Sequence, residues 1–302
     1  MREADANPDD TYYDFAALLD AVRGIRWPAR SIVRGGIPGG HTSRVWGSSA
    51  EFSEYRPYRQ GDDLRRIDWK LFARSDRAYI RLSNDRSILP TMIVVDASAS
   101  MAFPMSTNGK WRLAAQLGVA LAAVARNGGD PVGLALAGGR KPELIAPRTR
   151  RSVIQEIIRA ISATQPAGSA PLAPSISIAA QSVGRLVIVS DFLGDATEIL
   201  SVASRFVVAG REVHAVHVVA AEEIDPPREA SMVTDPEAPG TRRALIGETR
   251  DGYVAAFAAW RDGLAHEFSD AGLAYSAAIV GDETPEHLIR RLTAPRGAAA
   301  IA

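Results

Sequence analysis

The chain has 302 residues, 46% of them hydrophobic and 23% charged, proportions that suit a globular protein with a sizeable core, as one large domain or two modest ones. Lysine plus arginine and aspartate plus glutamate number 35 each, so net charge gives no reason to invoke nucleic acid, a membrane surface or an acidic substrate. Cysteine is absent, which excludes disulfides, thiolate chemistry and cysteine-ligated zinc and fits a reducing compartment, so a cytoplasmic location is expected.

The acidic start, MREADANPDDTYYDFAALLD, lacks the basic and then apolar order of a secretory signal. Within 11–24, Tyr13, Phe15, Leu18, Leu19 and Val22 recur at helical spacing up to a glycine, which predicts a short helix. Residues 28–50 are rich in Gly, Ser and Pro and read as strand fragments joined by loops. Charge is uneven here: residues 1–22 carry six acids and one base, and 23–86 carry fourteen bases and seven acids. The two signs are interleaved in the second stretch, which favours internal ion pairs over a phosphate-binding face.

From residue 91 strands and helices alternate. TMIVVD is a buried strand, 111–128 a helix, 130–139 a strand, and 141–147 a short strand hairpinned to it. Helices come next at 151–163 and 172–183, then a strand at 185–191, a helix near 195–209 and a strand at 211–219. A hairpin near 231–248, a helix at 250–272, a strand at 273–280 and a closing helix complete the pattern. The apolar stretch 114–125 is too short to span a bilayer, so no membrane span and a soluble chain are expected. The alternation predicts an α/β fold with a doubly wound, mostly parallel sheet. The expected domains are a small β-rich N-terminal module with its helix at 1–87, the α/β domain at 88–294 and a flexible tail at 295–302.

In such sheets ligands sit beyond the carboxyl ends of the strands. Asp96 ends IVVD and Asp191 comes directly after VIVS, so neighbouring strands would deliver two carboxylates to one edge. Asp96, Ser98 and Ser100 are spaced by two, and such residues also open turns after strands for purely local reasons. Two carboxylates with hydroxyls suit a hard cation, Mg2+ or Mn2+. Water and a carboxylate from outside would complete the octahedron.

The run DASAS before a helix, with a later strand ending in Asp191, resembles the metal-ion-dependent adhesion site of von Willebrand factor A domains. Upstream, GGHTSRVWG and EFSEYRPYRQGDDLRRIDWKLFARSDRAYIRLSNDRS are similar to the signature of the domain of unknown function 58 family, bacterial proteins often encoded beside MoxR-type AAA+ ATPases. The resemblance spans roughly residues 30–285. It implies that Asp96, Ser98 and Ser100 form the first metal loop and Asp191 the last. Where the pattern has a threonine this chain reads PAGSAPLAP, so either Ser169 supplies the middle hydroxyl or no direct hydroxyl ligand exists there.

The signature offers Arg56, Gly61, Asp62, Asp63, Arg65, Arg66, Asp68, Trp69 and Arg74 as partner-binding or interdomain residues. Gly61 suits a turn with positive φ, Asp62 or Asp63 a cap on the next segment, the arginines at 65, 66 and 74 ion pairs, and Trp69 an apolar anchor. The resemblance implies a non-enzymatic, metal-dependent adaptor that binds an acidic side chain of a protein partner, with a MoxR-type ATPase, in assembly or maturation of a client. The alternatives are a Mg2+-dependent phosphohydrolase, disfavoured by Ser98 standing where haloacid-dehalogenase-like phosphatases carry a second aspartate, and a nucleic-acid-binding protein using 23–86. His214 and His217, three apart on a strand, fall on opposite faces and support no zinc site. Without a Gly-x-Ser-x-Gly elbow, serine hydrolase chemistry is not expected.

Overall fold

The structure, a computed structural model, describes residues 15–29, 38–42, 47–60, 62, 64, 67–83, 86–181, 183–227, 231–234, 242–245 and 247–295. After helix α1 (Phe15–Ala21) come β1 (Pro38–Thr42), β2 (Gly47–Pro57), α2 (Trp69–Ser75), β3 (Tyr79–Ser83) and β4 (Arg86–Ser87). From residue 91 run β5 (Thr91–Asp96), α3 (Gly109–Asn127), β6 (Val132–Ala137), β7 (Glu143–Arg148), α4 (Val153–Ser162), α5 (Leu172–Ala179) and β8 (Arg185–Ser190). The chain continues through α6 (Ala196–Val208), β9 (Glu212–Val219), α7 (Ala221–Ile224), β10 (Ser231–Thr234), β11 (Arg242–Leu245), α8 (Gly247–Asp270), β12 (Ala274–Ile279) and α9 (Pro285–Thr293). Two compact units result, one of residues 1–27 with 90–302 and one of residues 28–89.

The larger unit is built on a six-stranded sheet in the order β12-β9-β8-β5-β6-β7, parallel except for the antiparallel edge strand β7. This is the doubly wound, mostly parallel α/β sheet that the alternating pattern predicts. Strands β5, β6, β8 and β9 are buried along their whole length, as strands covered on both faces must be. One face packs on α3 and α4 through Leu117, Leu121 and Ile157, and the same core takes in Phe15 of α1 and Ile289 of α9. The other packs on α5, α6 and α8 through Ile176, Ile199, Leu264 and Phe268. Each such large aliphatic or aromatic side chain contributes about 1.5–3 kcal/mol by leaving water. Helix α3 lies close to the sheet because its inner surface is small: a Cβ on Gly118 would sit 3.0 Å from Val95 Cγ2.

Helix α1, which the sequence groups with the N-terminal module, belongs to the larger unit and packs against α3 and α9. Phe15, Val22, Ile25 and Trp27 enter the same core. At the amino edge of the sheet Arg185 is fully buried. Its guanidinium donates to Glu212 Oε2 at 3.0 Å and to the carbonyl of Trp27 at 3.3 Å, lies 3.7 Å from Asp130 Oδ2, and covers the Trp27 ring. Gly184 N and Arg185 N donate to the carbonyl of Pro90 at 2.8 and 3.0 Å.

In the smaller unit β2 pairs with β3 and β1 with β4, all antiparallel, which gives the expected β-rich module. The hairpin expected near 231–248 is the antiparallel pair β10–β11. Residues 296–302 of the expected tail lie outside the described residues. Among the described residues no helix is long and apolar enough to cross a membrane.

Candidate functional site

Strand order reverses between β5 and β8, which are adjacent and parallel with Val95 opposite Val189. Two residues that end apolar runs therefore arrive side by side: Asp96 closes β5, and Asp191 comes directly after Ser190 at the end of β8. The Asp96 carboxylate is fixed on both oxygens, accepting from Ser98 N at 2.8 Å on Oδ1 and from Ser190 Oγ at 2.6 Å on Oδ2. Ser98 Oγ and Ser100 Oγ lie 3.0 Å apart, both buried.

The loops beyond the strands are laced together by backbone bonds. Ala99 N donates to Gly168 O, Ala167 N to Ala97 O, and Ala170 N to Gly138 O, each at 2.8 or 2.9 Å. This brings exposed Ser169 over the site. Gly138 has φ +76°, and a Cβ there would stand 2.5 Å from Asp96 Oδ1, so only glycine lets this loop close against the carboxylate. Asp195, from the loop after β8, accepts from Leu172 N at 2.8 Å and so caps α5 from outside that helix. Asp96, Ser98, Ser169, Ser190, Asp191 and Asp195 line a cavity of about 150 Å3. Of the five residues expected to ligate metal, four line it; Ser100 lies behind, in contact with Ser98.

Asp191 has a partner that sequence reasoning missed. Lys110, buried in the first turn of α3, places Nζ 2.8 Å from Asp191 Oδ2 and 2.7 Å from Glu223 Oε1. Burial draws its pKa down, but the two carboxylates outweigh that and hold it above the usual lysine value. Burial and, after it, the charge of Asp191 push Asp96 up to about 7, against the bonds from Ser190 and Ser98. Burial also raises Glu223. Next to Asp191, Phe192 has φ +54°, a conformation that costs an aromatic residue about 1–3 kcal/mol. Its buried ring is held edge-on by Phe268 and His217.

The donors suit a hard divalent cation. All are oxygen, and two neighbouring buried carboxylates repel each other in a way that such an ion would relieve. No group of three or more His, Cys, Asp or Glu able to hold a metal occurs among the described residues, so a cation here would lean on serine hydroxyls and water. As the spacing requires, His214 packs on Trp27 on one face of β9, and His217 packs on Phe192 and Trp260 on the other. Burial pushes His217 down to about 4, and its Nδ1 lies 2.7 Å from the Tyr275 hydroxyl.

Lys110 did leave a trace in the sequence: it stands in helical register with Ala114, Leu117 and Leu121 on the buried face of α3. A charge on that face needs a partner. Glu223 left none, because it reaches the site only through the turn after β9. Ser190 sat unnoticed between an apolar run and the aspartate.

In the signature segment Gly61, Asp63, Arg65 and Arg66 lie outside the described residues. Whether Asp62 caps the next segment falls on residues 63, 65 and 66, outside the described residues. Asp62 accepts from Arg56 at 2.9 Å and from Arg59 N at 2.8 Å, bracing the preceding turn. Asp68 is the cap, accepting from Lys70 N and Leu71 N at the start of α2 and from the Tyr55 hydroxyl at 2.7 Å. Trp69, expected as an apolar anchor, is 59% exposed, on a seven-residue helix with no buried residue, and its ring meets Phe72 edge-on. Arg74 is exposed in the last turn of α2, where a cation complements the helix dipole.

Residues 54–262 match the family model described as "Protein of unknown function DUF58". An uncharacterised protein of Mycobacterium tuberculosis is 28% identical over 268 residues, covering 86% of this chain and 84% of its own length. Among solved structures, an aerotolerance-related membrane protein from Bacteroides fragilis overlaps 68% of this chain and 96% of its own at 13% identity and a TM-score of 0.43. The SpRpn10 VWA domain overlaps 68% and 95% at 12% identity and a TM-score of 0.40.

Proposed function

The chain belongs to the DUF58 family of proteins of unknown function, and we propose that it is a non-enzymatic adaptor that grips an acidic side chain of a partner protein through a bound Mg2+ or Mn2+ ion. Asp96, Ser98 and Asp191 would hold the ion directly or through water, with Ser169 at the open side and Ser100 orienting Ser98. When bound, the ion supplies an electrophilic coordination position for the partner's carboxylate.

The observation that carries this reading is the size and lining of the cavity. At about 150 Å3 it accommodates an ion, its waters and one carboxylate, well short of the roughly 300–1,000 Å3 of sites that enclose small-molecule substrates. With Asp195 engaged in capping α5, two carboxylates with hydroxyls leave few direct charges to satisfy the ion and favour capture of a further carboxylate from outside.

The partner we propose is a MoxR-type AAA+ ATPase, with which the chain would act in assembly or maturation of a client. The test is binding of the purified chain to a purified MoxR-type ATPase in Mg2+ and in EDTA, with Asp96→Ala beside wild type. Association that needs both Mg2+ and Asp96 supports the proposal, and association indifferent to both sinks it. The phosphohydrolase alternative is disfavoured because Ser98 stands two positions after Asp96, where haloacid-dehalogenase-like phosphatases carry an aspartate as acid and base. Turnover of a phosphoester panel lost in Asp96→Asn would revive it.

A further inference from the structure

We propose that Lys110 sets how tightly this site takes a divalent cation, by competing with the ion for Asp191, and that Glu223 relieves the competition by drawing the ammonium away. The inference rests on the metal reading of the site and adds a residue pair to it.

Lys110 Nζ bridges Asp191 Oδ2 at 2.8 Å and Glu223 Oε1 at 2.7 Å, and the three side chains are only 1, 4 and 12% exposed. A second cation brought to Asp191 must share a carboxylate that already faces a full positive charge, in surroundings where water screens little. Lys110 also stands in the first turn of α3, where the helix dipole adds positive potential rather than offsetting it. The ammonium is therefore held by its two carboxylates.

Those two differ. Asp191 belongs to the cavity, whereas Glu223 is not among its lining residues. Glu223 is fixed independently, accepting from Ala220 N at 2.8 Å through Oε2 on α7. It can keep the ammonium paired while Asp191 turns its charge to the cavity. Glu223 thus favours the ion and Lys110 opposes it, although neither touches it.

That arrangement gives the two residues effects of opposite sign, which separates it from a merely structural role, in which loss of packing weakens the site whichever partner is removed. Lys110→Met keeps the chain length and removes the competitor, so Mg2+ and Mn2+ should bind about tenfold tighter or more. Glu223→Gln leaves Lys110 leaning on Asp191 alone, so affinity should fall by a similar factor. Isothermal titration of wild type and both variants with MgCl2 and MnCl2 reads this, with a thermal melt of each to establish folding. If Lys110→Met does not fold, Glu223→Gln decides: weaker binding upholds the proposal, and equal or tighter binding overturns it. Wild type that binds Mg2+ with both variants unchanged, or both weakened, overturns this inference and leaves the metal reading standing. Binding by Lys110→Met alone upholds it, and binding by none of the three overturns both.

Discussion

Ser190 Oγ donates to Asp96 Oδ2 at 2.6 Å, joining the last residues of two adjacent parallel strands at the point where the order of the sheet reverses. That bond, with the one from Ser98 N to the other oxygen, leaves the carboxylate no rotational freedom. The site is assembled before any ligand arrives, with its electrostatic cost stored in Asp96.

That cost is measurable in the metal-free protein. Folded, Asp96 keeps its proton up to about pH 7, against a usual value of 3.8. Between those values the folded chain binds the extra proton, so stability is highest near pH 4 as far as this group is concerned, falls as pH rises toward 7, and stays low above it. Asp96→Asn imitates the protonated form and should abolish the fall. In EDTA at pH 8 the variant should be more stable by roughly 1–3 kcal/mol, the scale of a buried polar group left uncompensated, with the gap closing toward pH 5. Comparing variant with wild type cancels His217, whose value is pushed down to about 4 and which by itself makes stability rise between about pH 4 and 6.5. Identical thermal midpoints at pH 8 would contradict the prediction.

Adding MgCl2 should stabilise wild type by about 2.7 kcal/mol at one hundred times the dissociation constant, read as a thermal midpoint that climbs with the logarithm of concentration. Asp96→Ala should show no such rise. A shift equal in both proteins would locate the ion elsewhere.

Gly138→Ala should damage both fold and site. Its φ of +76° and a Cβ 2.5 Å from Asp96 Oδ1 combine strain with a clash, costing about 1–3 kcal/mol and weakening Mg2+ binding. Gly210→Ala is the control, since Gly210 has the same φ of +76° with nothing within 4 Å of the added carbon. It should lose stability and keep its Mg2+ affinity. Equal affinity in both variants would mean that the approach of Gly138 to Asp96 is immaterial.

Arg185→Met removes the buried cation that Glu212 and Asp130 share at the amino edge of the sheet. Losing one member of a buried ion group costs about 3–5 kcal/mol, readable as a drop in the urea midpoint. Affinity for Mg2+ should hold, because a six-residue strand separates Arg185 from Ser190 by about 17 Å. A loss of less than about 1 kcal/mol would mean that the ion group at the amino edge adds little net stability.

Much of the fold is plain in the chain. Strands β5, β6 and β8 announce themselves by apolar runs because both faces of the sheet are covered, and Asp96 and Asp191 stand out because two of those runs lead to them; β9 is equally buried but carries a glutamate and two histidines. The hidden parts depend on contacts between distant segments. Glu223 lies 113 positions from Lys110, and nothing local distinguishes it from a surface glutamate. Helix α1 groups with its sequence neighbours because the pattern of 11–24 says what it buries but not against what. Trp69 misleads for a related reason: a large aromatic marks an anchor only where its helix has an inner face, and α2 has none.

Arg185 has one more consequence. Its backbone N–H holds the carbonyl of Pro90, and its guanidinium holds the carbonyl of Trp27, the residues that border the 28–89 unit on either side. The sheet unit thus pins both ends of that excursion to a single side chain and its own main chain. Once the gap between the ends is set, each doubling of the length between them adds only about 0.6 kcal/mol of closure cost. The junction works as a socket: segments of quite different size could be exchanged there over evolutionary time, or spliced out by a short flexible bridge, while the sheet and its far edge go on folding as before.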